Sequence, residues 1–264
     1  MNAPNPPPSQ PNADDQGGTS GPPLGTAQAE CALASGAIAN VQGVMRWGSN
    51  YAALVTIADQ NRVLTAVYKP RRGERSLWDF PDGTLCYREV LAYHVSQALG
   101  WELVPATVLR DGPHGIGSLQ LFVEHDPAVN YFSLDDRYVA QLQRFAVFDA
   151  LINNADRKGG HLLLDRNDKL WGIDHGLAFH SAPKLRTVIW EFERQPIPEA
   201  LLAATSNLLN TITCHNNAPW VDQMVSWLTT SEVNALVRRI EKLLSARVFP
   251  SPSGQGPSYP WPPV

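Results

Sequence analysis

Asn154-Ala155-Asp156-Arg157-Lys158-Gly159-Gly160-His161, followed after a short apolar stretch by Gly172-Ile173-Asp174-His175-Gly176, decides how this chain is read. An acid, a ligand-type side chain five positions later and a second acid at the end of a strand form an order with chemical meaning. Phosphoryl transfer asks a protein for little covalent chemistry, but it needs a carboxylate near the acceptor hydroxyl and oxygen or nitrogen ligands for Mg²⁺. In that order Asp156 orients the acceptor, His161 stands where a second metal ligand is expected, and Asp174 bridges metal and phosphates. His161-Leu162-Leu163-Leu164 and Lys169-Leu170-Trp171-Gly172-Ile173 read as the two strands of a hairpin that turns at Asn167-Asp168. An isolated Asp-Arg pair would read as surface connection, whereas three such groups flanked by apolar strands call for a site.

The upstream sequence supplies the partners that this chemistry requires. Val63-Leu64-Thr65-Ala66-Val67-Tyr68-Lys69-Pro70 is a strand of β-branched and apolar residues with a lysine near its end, closed by a proline that cannot continue the ladder. Tyr87 through Gly100 has helical apolar spacing and ends in a glycine suited to a C-cap. Glu89, in the first turns of that helix, is placed to pair with Lys69 and hold its ammonium on the α and β phosphates of ATP. Taken singly, Lys69 reads as a snorkelling surface lysine and Glu89 as a solvated helix acid. Together with the downstream acids they read as one ion pair. Gly48-Ser49-Asn50 is a small-residue turn entering a strand, where backbone amides with Ser49 and Asn50 would cover the phosphates, although ordinary hairpin chemistry explains it equally well. Leu119 through His125 reads as the strand entering a hinge, with the backbone around Glu124 facing adenine.

Val67-Tyr68-Lys69-Pro70-Arg71-Arg72-Gly73-Glu74 is similar to the lysine strand of phosphatidylinositol 4-kinases. Asn154-Ala155-Asp156-Arg157 and Ile173-Asp174-His175-Gly176 resemble the catalytic and metal loops of the phosphatidylinositol 3-/4-kinase and HipA-like branches of the kinase superfamily. The stretch from about residue 31 to 249 resembles an actinobacterial family of phosphatidylinositol 3-/4-kinase-like proteins that carry the same Tyr-Lys-Pro, Trp-Asp-Phe-Pro-Asp-Gly and Asp-Arg-Lys-Gly-Gly-His wording. The resemblance implies a two-lobed protein-kinase-like fold and the use of ATP with Mg²⁺. Lys158-Gly159-Gly160-His161 departs from the lipid-kinase wording by presenting an imidazole, a softer ligand than Mg²⁺ usually takes. Either the site tolerates Mn²⁺ or His161 is not a ligand. His175-Gly176 after Asp174 also removes the regulatory phenylalanine found in protein kinases.

Composition frames the site. The chain has 264 residues, is 44% hydrophobic and 17% charged, and carries a net charge of −4, which gives no general pull toward nucleic acid or anionic membrane. Thirteen of the 22 prolines fall in residues 1–27 and 250–264, and both ends read as disordered tails. Tyr259-Pro260-Trp261-Pro262-Pro263 reads as a frayed tail before it reads as a docked polyproline segment. Three widely spaced cysteines, with no leader sequence and no long apolar run, point to a cytoplasmic protein without integral membrane association.

The expectation is therefore an α+β chain: a Pro/Gly-rich tail over 1–30, a β-rich N-lobe with one helix over 31–125, a helical C-lobe over 126–249, and a Pro-rich tail over 250–264. Helices are expected at 138–152, 198–213, 218–228 and 231–247. The function expected is an ATP- and Mg²⁺-dependent kinase acting on a hydroxyl of a lipid headgroup, protein or small molecule. Arg157 or Lys158 would neutralise charge on the transferred group. A nucleotide-binding pseudokinase, or AMP transfer on the same fold, are the alternatives.

Overall fold

The computed structural model describes residues 25–45, 51–59, 62–214, 218–252, 254 and 256–264. Ser49 and Asn50, expected over the phosphates, lie outside the described residues, as does the stretch 1–24. The described residues divide into a sheet-rich half followed by a helical half.

In the first half, strands β1 (Ala37–Met45), β2 (Ala52–Asp59), β3 (Arg62–Pro70), β4 (Thr107–Gly112) and β5 (Gly115–Leu121) form an antiparallel sheet in the order β1-β2-β3-β5-β4. Alternation along β2 buries Ala53, Val55 and Ile57 on one face, as the period of two requires. β3, whose long apolar run reads as a central strand, pairs with β2 on one side and β5 on the other. Pro70 ends it, and the chain turns into a short 3₁₀ helix at Arg71–Gly73.

Helix α2 (Leu85–Ala98) lies against this sheet, burying Leu91, Ala92, Tyr93 and Val95. A second helix corrects the expectation of a single one: α1 (Thr26–Ser35) straddles the expected tail boundary and buries Ala29, Ala32 and Leu33. It packs against β4, β2 and β5, and its alanine-rich run with a single leucine made the segment look like tail.

The second half begins with α3 (Val139–Ile152), which buries Phe145, Val147, Phe148, Leu151 and Ile152. Asn153, at φ 55°, caps it in the left-handed region and turns the chain toward Asp156. The short strands β6 (Leu162–Leu164) and β7 (Leu170–Gly172) make the expected hairpin, with Leu162 opposite Gly172 and Asp168 in the left-handed conformation at its turn. Three further helices, α4 (Glu199–Cys214), α5 (Pro219–Trp227) and α6 (Thr230–Ala246), complete this half. The cap of α6 is Thr229, which forms a capping box with Glu232.

The stretch 250–264 does not behave as the tail the composition suggested. Its carbonyls at Ser258 and Pro263 accept hydrogen bonds from Thr187 and Gly159 in the second half, and Pro260 is buried. Proline blocks helix and ladder, but it leaves the carbonyl of each residue free to be bound.

Candidate active site

Lys69 projects from β3 with its Nζ 2.5 Å from Glu89 Oε1 and 3.0 Å from Asp174 Oδ1. The other carboxylate oxygen of Glu89 accepts the His175 backbone N–H at 3.0 Å. A single buried glutamate on α2 therefore holds both the lysine and the loop that carries Asp174. Asp174 itself has φ 61°, a left-handed conformation uncommon outside glycine and characteristic of strained functional positions.

Asp174 Oδ2 faces His161 Nε2 at 3.5 Å. The 3₁₀ turn Gly159–His161 brings His161 there, and the Ile173 N–H closes on the His161 carbonyl at 3.0 Å. On the same loop Asp156 sits 3.4 Å from Lys158 Nζ, and its N–H donates to Asn154 Oδ1 at 3.0 Å. Asp156, Lys158, His161, Asp174, Lys69 and Glu89 are thus brought to one place.

Their electrostatics diverge. The Lys69 ammonium holds the Asp174 carboxyl well below the usual carboxylate range, overriding burial. Burial works against the charge on Lys69, but Asp174 and Glu89 outweigh it and keep that ammonium above its ordinary range. Asp156 goes the other way: burial raises it to about 6, with the Asp174 charge adding to the rise and Lys158 opposing it. Burial lowers His161 to about 4 despite Asp174, so its imidazole is neutral at neutral pH and can offer a lone pair. Two carboxylates of one site are therefore driven to opposite ends of their range, the pattern by which acid and base roles are separated.

Arg157 is not where the sequence placed it. Its side chain is fully buried and faces away from any transferred group, toward α3. Nε and Nη2 make a bidentate pair with Asp149, both at 2.9 Å, and Nη2 also reaches His175 Nε2 at 2.7 Å. Nη1 donates to the carbonyls of Ile173 at 3.0 Å and His161 at 3.3 Å. Every N–H of the guanidinium is thereby used. Because a guanidinium cannot accept, His175 Nε2 must, which makes that buried imidazole neutral. Arg157 holds the two metal-ligand candidates by the backbone beside them, and of the two adjacent cations only Lys158 faces Asp156.

The sequence did not single out Asp149 or Asn154, and it noted His175 as the replacement for phenylalanine. Asp149 was visible as the one acid within an otherwise apolar helical run, Phe145-Ala146-Val147-Phe148-Asp149-Ala150-Leu151-Ile152. Asn154 Nδ2 donates to Asp149 Oδ1 at 2.9 Å, so the same carboxylate also orients the residue that binds the Asp156 N–H.

Glu124 follows β5, its carboxylate loosely paired with Arg166 at 3.5 Å. Among the described residues no hydrogen bond engages its main chain, and the residue is exposed. Among the same residues no cluster of three or more His, Cys, Asp or Glu side chains forms a closed metal cage. Asp174 offers Mg²⁺ one carboxylate, as in sites where one or two carboxylates and nucleotide phosphates make up its shell, whereas His161 offers nitrogen, a softer donor than Mg²⁺ usually takes.

The Trp78-Asp79-Phe80 loop packs across to the second half. Lys184 Nζ lies 2.7 Å from Asp79 Oδ2, with both side chains largely buried, and Phe80 meets the His180 ring edge to face at 5.3 Å. Lys184 is therefore no solvated loop residue.

Residues 34–228 match the family described as phosphatidylinositol 3- and 4-kinase. The chain belongs to that family. It is also 40% identical over 265 aligned residues to Protein Rv2133c of Mycobacterium tuberculosis, spanning 87% of this chain and 93% of the relative. The crystal structure of a Helicobacter pylori proinflammatory kinase, CtkA, aligns with 82% of this chain and 94% of its own, at 14% identity and a TM-score of 0.49. The two-lobed α+β architecture, with Lys69 in the sheet-rich half and Asp156 and Asp174 in the helical half, is the protein-kinase-like arrangement the family implies. No helix among the described residues is long and apolar enough to cross a membrane.

Proposed function

We propose that this family member is an ATP- and Mg²⁺-dependent phosphotransferase acting on a hydroxyl acceptor. The observation that carries this reading is the Lys69 ammonium held between Glu89 and Asp174, beside a loop on which burial raises Asp156 to about 6. Lys69 contacts the α and β phosphates, Glu89 fixes its ammonium, and the main chain at Glu124 receives adenine. Asp174 and neutral His161 hold the divalent ion, which neutralises charge on the phosphates when bound. Asp156 orients the acceptor hydroxyl and takes its proton, while Lys158 offsets charge on the transferred group. A lipid headgroup, a protein side chain and a small metabolite all supply such a hydroxyl.

Calorimetric titration of ATP with Mg²⁺, with Mn²⁺ and with EDTA tests the nucleotide site. Binding should require the metal and be lost in Asp174→Asn. At ATP about one hundred times Kd, the wild-type fold should gain about 2.7 kcal/mol. Absence of binding under every metal would end this reading.

Asp156 makes a second prediction. It must be ionised to accept a proton, so turnover should fall tenfold per unit as pH drops below about 6 and level off above it. Its stability effect has the opposite sign. A carboxyl raised in the folded state favours folding most below its ordinary pKa of 3.8, and that contribution is lost as pH rises through about 6. At neutral pH the ionised group therefore burdens the fold, so Asp156→Asn should melt higher than wild type at pH 7 while losing turnover. A variant that melts lower, or turns over normally, would contradict the role.

A further inference from the structure

The Gly159 N–H, three residues after Asp156 and two before His161, is bound by the carbonyl of Pro263 at 2.7 Å. The same stretch of chain binds again one loop away, where the Ser258 carbonyl accepts from the Thr187 N–H at 3.1 Å and from the Trp190 indole N–H at 3.1 Å. Thr187 and Arg157 are themselves bridged in parallel, so Gly159 and Thr187 lie on adjoining strips of one surface. Between the two anchors Pro260 is buried, while Tyr259 and Trp261 point outward at 56% and 88% exposure. A Cβ on Gly159 would meet the Phe132 ring at 2.8 Å and the Pro263 oxygen at 3.5 Å, so the seat is closed on both sides.

Each anchor recognises a main-chain carbonyl of an extended, proline-bearing segment. The seat runs along the loop between Asp156 and His161, and along the strip at residues 187–190 that pairs with it. The Pro263 anchor thus sits on the same loop as Asp156, the residue to which the phosphotransferase reading brings the acceptor hydroxyl.

We infer that residues 258–264 form a strap docked in cis over the acceptor side of the catalytic loop, and that an acceptor reaches Asp156 only when the strap lifts. This rests on the phosphotransferase reading above. When the open state is a minor fraction of the population, apparent turnover is lowered to that fraction. Releasing the strap raises turnover without touching a catalytic residue.

The test compares the full chain with a chain ending at Gly254 and with Pro260→Asp, which keeps the length but expels the buried ring. Gly159 amide exchange, metal-dependent ATP binding and phosphate release from ATP, the transfer in which water takes the acceptor's place, are measured on all three, with and without a synthetic peptide of residues 256–264. Both variants should keep ATP affinity, lose Gly159 protection and gain turnover, about tenfold if the open state is about a tenth of the population. The peptide added in trans to the shortened chain should restore protection and suppress the gain. Unchanged Gly159 exchange would show that no strap is seated. Unchanged or lower turnover in variants that bind ATP normally would overturn the gating. If the phosphotransferase reading is what fails, ATP binding is absent from all three proteins, and a gate on that reaction falls with it, while Gly159 exchange still reports whether the strap is seated.

Discussion

Arg157→Ala should cost about 3–5 kcal/mol of stability, because it leaves the Asp149 carboxylate buried without its cation. A domain of this kind commands roughly 5–15 kcal/mol in total, so the variant should show a large fall in denaturation midpoint and poor recovery at 37 °C. The loss has two separable parts. Asp149→Leu with Arg157→Met replaces the buried pair by apolar volume, which commonly recovers stability. It does not restore the donors on the carbonyls of Ile173 and His161, the supports beside the two metal-ligand candidates. The double variant should therefore fold and remain weak in metal-dependent ATP binding. A double variant with wild-type metal dependence would show that Arg157 serves packing alone.

Arg88→Ala is the second large expected effect. Arg88 is fully buried next to Glu89 on α2, and its Nη2 pairs with Glu232 Oε1 at 2.7 Å while Nη1 donates to the Ala178 carbonyl at 2.7 Å. Glu232 belongs to the cap of α6, so this guanidinium joins the helix bearing the Lys69 partner to the helical half. Truncating it strands a largely buried carboxylate at a cost of about 3–5 kcal/mol, softened where the Thr229 donors remain. The functional consequence follows from position: α2 loses its tie, and Glu89 its fixed distance to Lys69. Hydrogen exchange should accelerate along α2, and ATP affinity should fall even at temperatures where the variant is folded. Retained protection of α2 would mean that its remaining contacts, with the sheet, the His175 N–H and Trp227, hold this helix without Arg88. The Arg88 tie also bears on regulation, since a helix carrying the lysine partner cannot swing as a unit while it is bolted to α6.

Much of the site was legible because its chemistry is local in sequence. Asp156 and His161 share one loop, Asp174 ends the hairpin that follows, and the run from Val63 to Pro70 has the composition of a central strand with one lysine. The sequence located α2 through α6 to within a few residues: α4, α5 and α6 bury an apolar face that recurs at helical spacing, whereas α2 and α3 are apolar runs enclosed on most sides. It missed α1, whose buried side chains are mostly alanines, and it took the proline-rich segment for a free tail. Neither segment carries an apolar period, and both are placed by contacts with distant residues.

The sequence by itself determined the class of elements, their order and the reactive groups, because propensity, alternation and short-range spacing are properties of neighbouring residues. Only the tertiary structure decided which charges are tools and which are fasteners. Arg157 and Lys158 are adjacent in the chain, yet one is enclosed by Asp149, His175 and two carbonyls while the other faces Asp156. Arg88 and Glu89 are adjacent as well, and one bolts α2 to the helical half while the other holds Lys69. The cause is desolvation: a buried charge must find its partners wherever the fold brings them, here across separations of 144 residues for Arg88 and Glu232 and 105 for Lys69 and Asp174, and no local pattern encodes such a pairing.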